Sequence, residues 1–75
     1  MENKLREYFE LELHYAERMA NQTDDRERQK EIFWNAYQRG LGAVDFARVC
    51  EDIVSEELAE EYLEMIRFAE EKFNL

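Results

Sequence analysis

Residues 24–54 have the sequence DDRERQKEIFWNAYQRGLGAVDFARVCEDIV, which contains both glycines, the single Trp and the single Cys of the chain. When successive residues are rotated by about 100°, as in an α-helix, most of the apolar and small residues fall within one half of the helical wheel. These residues are Ile32, Phe33, Ala36, Tyr37, Gly40, Leu41, Ala43, Val44, Ala47 and Cys50. The register crosses Gly40 and Gly42 without a phase jump, which predicts one long helix over about residues 24–52.

The two glycines also allow an alternative. Each Gly costs about 1 kcal/mol relative to Ala inside a helix, and Gly40-Leu41-Gly42 can instead form a turn. The long helix would then be broken near Gly40–Gly42, and the chain would have four helices. Against this, the centre of the face holds Ala36, Gly40, Ala43 and Ala47, and small residues let a neighbouring helix approach closely.

The flanking sequences also have helical periodicity. The chain has 75 residues with no Pro and only two Gly, so it has little turn chemistry and a strong helix propensity. We predict a first helix over about residues 2–21 and a third over about residues 56–73. Their core stripes are Leu5, Phe9, Leu13, Ala16 and Ala20 in the first, and Leu58, Ala59, Tyr62, Met65, Ile66, Ala69 and Phe73 in the third. The predicted fold is all-α: one domain, residues 1–75, forming a small three-helix bundle with a long central helix.

Polar residues mark the starts of the second and third helices. Thr23 or Asp24 is a suitable N-cap for the second helix, with Glu27 in the position of a capping-box partner to Asp24. Ser55 is a suitable N-cap for the third helix.

Several apolar residues lie beyond the core stripes. Tyr8, Leu11, Tyr15 and Met19 widen the apolar arc of the first helix to roughly 200°, and Glu12 interrupts this arc. A carboxylate there should reach the rim or meet an Arg. Packing of each helix against two others accounts for much of the arc. The remaining part of the arc is predicted to form a partner or dimer contact. Three residues of the second helix that lie off its core face are predicted to join this contact. The predicted contact residues are Tyr8, Tyr15, Trp34, Phe46 and Val49. The alternative is that the bundle covers them.

The acidic charge of the chain is concentrated in its last third. The net charge is −9, of which residues 1–50 carry −2 and residues 51–75 carry −7. The third helix places like charges at i and i+4, which destabilises it slightly. We therefore predict that an acidic face binds a basic protein surface, while solubility is the competing explanation. This face contains Glu56, Glu57, Glu60, Glu61, Glu64 and Glu71.

Other classes of function have little support. Phosphate contacts require clusters of Lys and Arg, so direct nucleic-acid binding is not expected. Glu10 and His14 are the best metal candidates, but they lie on the outward side of the first helix. Cys50 lacks a neighbouring His and is expected to be a small core residue. We predict no enzyme, cofactor, metal or membrane association, and a reducing cytoplasmic setting for a chain with one Cys.

Two hypotheses remain. The first is a non-enzymatic interaction module whose acidic face imitates the charge of a nucleic acid and blocks a nucleic-acid-binding protein. In size and charge the chain is similar to small acidic inhibitors carried by phages and mobile elements, some of which act against host defence; this is a likeness of class only. The second is a structural or assembly module, a helical homodimer whose acidic face only keeps it soluble.

Overall fold

The computed structural model describes residues 1–51 and 54–75 and contains three helices: α1 Glu2–Asn21, α2 Arg26–Glu51 and α3 Glu57–Lys72. The helices contact one another in every pairing, and the predicted all-α helical bundle is confirmed. The predicted end of the second helix at Asp52 lies outside the described residues. The molecule is 41 Å long, close to the length of about 39 Å that α2 has at the usual helical rise.

The long helix α2 continues through Gly40 and Gly42, so the four-helix alternative is not confirmed. Gly40 is buried at the contact with α3. A Cβ atom at Gly40 would lie closer than 3.0 Å to carbon atoms of the Tyr62 ring. The Tyr62 hydroxyl donates a hydrogen bond of 2.6 Å to the carbonyl oxygen of Ala36, one turn earlier in α2. Small residues on α2 thus provide the space that the Tyr62 ring fills.

Aromatic rings from all three helices form the centre of the core. Phe9 of α1 stacks on Tyr62 of α3 with 4.3 Å between ring centroids. Tyr37 of α2 also stacks near Tyr62, with 6.2 Å between the ring centroids. The predicted stripes supply most of the remaining core, and the core also includes Val54; the buried stripe members are Leu5, Ala16, Ala20, Ile32, Phe33, Ala36, Val44, Ala47, Leu58, Ile66 and Ala69.

The start of α2 differs from the prediction, because neither Thr23 nor Asp24 caps it. Asp25 does so instead, since its Oδ1 accepts the backbone N–H groups of Glu27 at 3.0 Å and Arg28 at 3.4 Å. The Thr23 hydroxyl accepts the N–H of Asp25 at 3.2 Å. The helix therefore begins at Arg26, two residues later than predicted.

Gln29 joins the end of α1 to the start of α2. Its side chain is 9% exposed, and its Nε2 donates to the carbonyl oxygens of Ala20 at 3.1 Å and Thr23 at 2.9 Å. The last carbonyls of a helix lack partners within the helix, and the Gln29 amide supplies two donors at this end of α1.

Two further predictions near the end of α2 need correction. Cys50 is exposed rather than in the core, because the first turn of α1 leaves the groove beside it open. The N-cap position of α3 is Glu56 rather than Ser55. Ser55 still contributes, since its hydroxyl accepts the N–H of Glu57 at 3.2 Å and its own N–H donates to Glu2 Oε1 at 2.5 Å.

Candidate interaction surfaces

The glutamates predicted for partner binding are all exposed, on α3 or at its N-terminus. Four of them follow spacings of three, four and seven residues, which places them on one side of a helix. We call Glu57, Glu60, Glu64 and Glu71 the acidic stripe. Within the described residues, none of the four forms an ion pair.

Glu61 is exposed beside the stripe but has a partner. The Arg6 guanidinium of α1 donates two hydrogen bonds of 3.0 Å to its carboxylate, from Nε to Oε2 and from Nη2 to Oε1. These bonds hold the pKa of the Glu61 carboxyl below its ordinary value. Glu61 thus joins α1 to α3, and its charge is balanced within the molecule.

Phe68 is an exposed aromatic residue that was not among the predicted contact residues. Its side chain is 64% exposed, four residues after Glu64 and three before Glu71. The Lys72 ammonium lies 5.1 Å from the centre of its ring. The signal was present in the sequence, because Phe68 lies off the core stripe of α3 just as Phe46 lies off that of α2.

A second surface is formed by α1 and α2. Its residues are Tyr8, Leu11 and Tyr15, spaced by three and four in α1, and Phe46 and Val49, spaced by three in α2. Tyr8 is half-buried, whereas Leu11, Tyr15, Phe46 and Val49 are exposed by 69%, 56%, 71% and 84%. We call this set the α1/α2 surface. The part of the bundle that the structure describes does not cover it.

A groove of about 260 Å³ connects the two halves of the α1/α2 surface. Tyr8 and Phe46 are among the residues that line it, so the structure brings these two predicted contact residues together. The other lining residues are Met1, Lys4, Leu5, Ala43, Ala47 and Cys50. Lys4 is the only charged residue among them.

Glu12 lies at the α1–α2 contact and meets an Arg, which is one of the two alternatives that its position in the arc left open. Its Oε2 accepts a 2.7 Å hydrogen bond from Arg39 Nε, and its Oε1 accepts a 3.0 Å bond from the Tyr8 hydroxyl. Burial raises the pKa of the Tyr8 hydroxyl, and the bond to Glu12 raises it further. The carboxylate therefore has partners for both oxygens.

Trp34 belongs to neither surface. It lines a different groove, of about 280 Å³ between α2 and α3, together with Tyr37, Leu63 and Arg67. Its indole is 60% exposed and lies 6.0 Å from the Tyr37 ring, measured between centroids. The five predicted apolar contact residues thus divide between two sides of α2.

The two best metal candidates of the sequence, Glu10 and His14, both lie on α1. His14 and Glu10 are exposed on α1. Among the residues that the structure describes, no three His, Cys, Asp or Glu side chains are grouped to hold a metal ion. Over these same residues, no helix combines the length and the apolar character needed to span a bilayer.

No protein-family model, no curated protein and no solved structure matches this chain.

Proposed function

We propose that the protein is a non-enzymatic interaction module whose acidic stripe binds a basic surface on a partner protein. The observation that supports this most is the contrast within α3. Glu61 is paired with Arg6, whereas Glu57, Glu60, Glu64 and Glu71 are exposed on one side of the helix without ion partners in the described part of the chain. Unpaired charges of one sign raise the rate and specificity of association with an opposite surface.

Phe68 adds an apolar contact to this proposal. Aromatic side chains are frequent anchors at protein interfaces, where charged rims surround them. An exposed ring between Glu64 and Glu71 provides such an arrangement. The expected partner surface therefore has Lys or Arg side chains around an apolar depression.

The narrower form of the proposal is imitation of nucleic-acid charge. At the usual helical rise, Glu57 and Glu71 are about 21 Å apart along the axis, so charges of the acidic stripe recur about every 7 Å. One strand of duplex DNA carries a phosphate about every 3.4 Å. The stripe is about half as dense as one strand, which favours the broader form, binding to a basic protein surface.

Charge removal on the stripe tests the proposal. The variant replaces Glu57, Glu60, Glu64 and Glu71 with Gln, leaving Glu61 and its bond to Arg6 intact. The control replaces Glu7, Glu10, Asp24 and Asp45, also exposed, with the matching amides. Both variants lose four negative charges. Immobilised wild-type protein should capture basic proteins from a cell extract at low salt and release them at high salt; the stripe variant should lose this capture and the control should keep it.

The outcomes separate the proposal from a general charge effect. Equal loss in both variants would mean that net charge alone causes capture. Captured partners that are neutral, or that stay bound at high salt, would contradict an electrostatic interface. If basic partners are captured, competition with duplex DNA for the same partners then tests the nucleic-acid form.

A second candidate is the structural or assembly homodimer. The exposed residues of the α1/α2 surface support it, because soluble monomers seldom expose several large apolar side chains side by side. A cytoplasmic location fits both candidates, since Cys50 is a free and exposed thiol and reducing compartments preserve such thiols.

A further inference from the structure

Apolar side chains on α1 and α2 make a surface that the described residues of the bundle leave exposed. Phe46 and Val49 project from α2, Leu11 and Tyr15 project from α1, and the groove beside Tyr8 lies between them. From their exposed fractions and a usual full area of about 150–250 Å² for large apolar side chains, these four residues expose on the order of 500 Å². Building on the homodimer candidate given above, we propose that this surface binds a second copy of the same chain, so that the protein is a two-fold symmetric dimer.

The area suits such a pair. A stable interface buries about 800 Å² on each partner. The four projecting side chains supply more than half of this, and the groove walls supply additional apolar area, including the half-exposed side chain of Met1. The sum is at the upper end of what a single soluble chain leaves exposed.

The shape is self-complementary. A two-fold interface uses the same patch on both copies, so each projecting group must meet a depression on the partner. The α1/α2 surface has both features, because the exposed Phe46 ring lies at an apolar groove of about 260 Å³ and the exposed Tyr15 ring projects from the same surface. We expect a ring from each copy to enter the groove of the other.

The charges also favour a second copy over a charged partner. Glu12 accepts hydrogen bonds from Arg39 and Tyr8, so burial of this part of the surface leaves no carboxylate unpaired. Among the described residues that line the groove, Lys4 has the only charged side chain, and its long stem can extend to the rim. The described lining of the groove therefore offers a strongly acidic or basic partner few charges to meet.

The acidic stripe lies away from the proposed interface. Two charged contacts mark the side of α1 that faces α3: Arg6 is paired with Glu61, and Glu17 lies 3.8 Å from the Lys72 ammonium. At 100° per residue, these positions are more than 100° around α1 from Tyr8 and Leu11. Two copies can therefore join through the α1/α2 surface while their acidic stripes remain separated. A dimer would then present two stripes, and a partner with two basic sites would bind it with avidity.

Sedimentation equilibrium of the full chain over a wide concentration range tests the proposal. The test variant is Phe46→Glu, and the matched control is Phe68→Glu, which adds the same charge at a similarly exposed Phe on α3. The wild type and the control should dimerise with dissociation constants within about twofold of each other. Phe46→Glu should raise the dissociation constant at least thirtyfold, on the order expected for loss of an interface anchor.

Alkylation of Cys50 provides a second measurement, because this thiol lines the groove. Its rate should fall as the wild-type concentration rises through the dimerisation range and should stay constant for Phe46→Glu. A wild type that remains monomeric up to millimolar concentration would overturn the proposal, whether or not a different partner later proves to cover this surface. Equal effects of the two Glu substitutions would also overturn it. Neither measurement involves a basic partner, so its result is independent of the capture experiment on the acidic stripe.

Discussion

Gly40 and Gly42 lie two residues apart in α2, and their surroundings are opposite. A Cβ atom at Gly40 would overlap the Tyr62 ring, whereas a Cβ atom at Gly42 would have no neighbour within 4 Å. Both residues have negative φ, so neither is required by backbone conformation. The same residue type therefore has a packing role at one position and none within the monomer at the other.

The difference shows how the two sides of α2 are used. On the inner side, Gly40 loses helix propensity but allows α3 to approach and Tyr62 to bond to Ala36. On the outer side, Gly42 lowers the helix propensity by the same amount, but a side chain there would meet no other part of the molecule that the structure describes. It lies one turn before the exposed Phe46. Substitutions at the two glycines should therefore change stability in opposite directions.

The largest expected effect is that of Gly40→Ala. The added methyl group would meet a ring that is fully buried and stacked on Phe9, so it cannot move aside easily. We expect the free energy of unfolding to fall by about 2–3 kcal/mol, as for overpacked cores, despite the better helix propensity of Ala. Urea unfolding followed by circular dichroism measures this change.

A double-mutant cycle with Tyr62→Leu gives the control, because Leu removes the ring atoms nearest to Gly40. In that background Gly40→Ala should cost at least 1 kcal/mol less than in the wild type. An equal cost in both backgrounds would show that the ring is not the cause.

A smaller effect is expected for Tyr62→Phe, which keeps the ring but removes its hydrogen bond to Ala36. The free energy of unfolding should fall by about 1 kcal/mol at neutral pH. The variant should also change the response to alkali. Burial raises the pKa of the Tyr62 hydroxyl above its ordinary value, which is about 10 in an unfolded chain.

The sign of the alkaline effect follows from this shift. Below pH 10 the hydroxyl is protonated in both states, and the contribution of Tyr62 is complete. Above about pH 10 the unfolded chain ionises first, so the free energy of unfolding of the wild type should decrease as the pH rises. The free energy of unfolding of Tyr62→Phe should decrease less steeply with pH. A slope equal to that of the wild type would contradict the raised pKa of the Tyr62 hydroxyl.

The smallest effect, and the one of opposite sign, is expected for Gly42→Ala. With open space around the position and helical backbone geometry, Ala should stabilise the fold by about 0.5–1 kcal/mol. The comparison is best made in the Phe46→Glu background, so that self-association does not contribute to the unfolding midpoint. A destabilised protein would indicate that Gly42 has a contact within the monomer.

Periodicity predicted the helices and most of their core faces because a helix places every third or fourth residue against its neighbours. The same argument predicted that α2 crosses Gly40 without a break. It could not identify Tyr62 as the residue that fills the space, since this pairing joins residues 22 positions apart. The cap at the start of α2 was also missed, because Asp24 and Asp25 have the same chemistry and only the backbone geometry distinguishes them.

The surfaces were harder to predict than the core. The wheel shows which residues lie off the core face but not how far a neighbouring helix extends over them. Leu11 was therefore left out of the predicted contact residues, although it is 69% exposed. Glu61 was assigned to the acidic face, and its bond to Arg6 depends on a contact across 55 positions of the chain. Both features are consequences of tertiary packing.

The position of Trp34 gives the protein an internal optical reporter. It is the only tryptophan, so all indole emission of the chain comes from the groove between α2 and α3, beside Tyr37 and Arg67. Separation of α3 from α2 should change this emission, because the indole would lose the neighbours that α3 provides. The α1/α2 surface lies on another side of α2 and contains no tryptophan. A single fluorescence signal can therefore follow the docking of α3 from a position outside the α1/α2 surface.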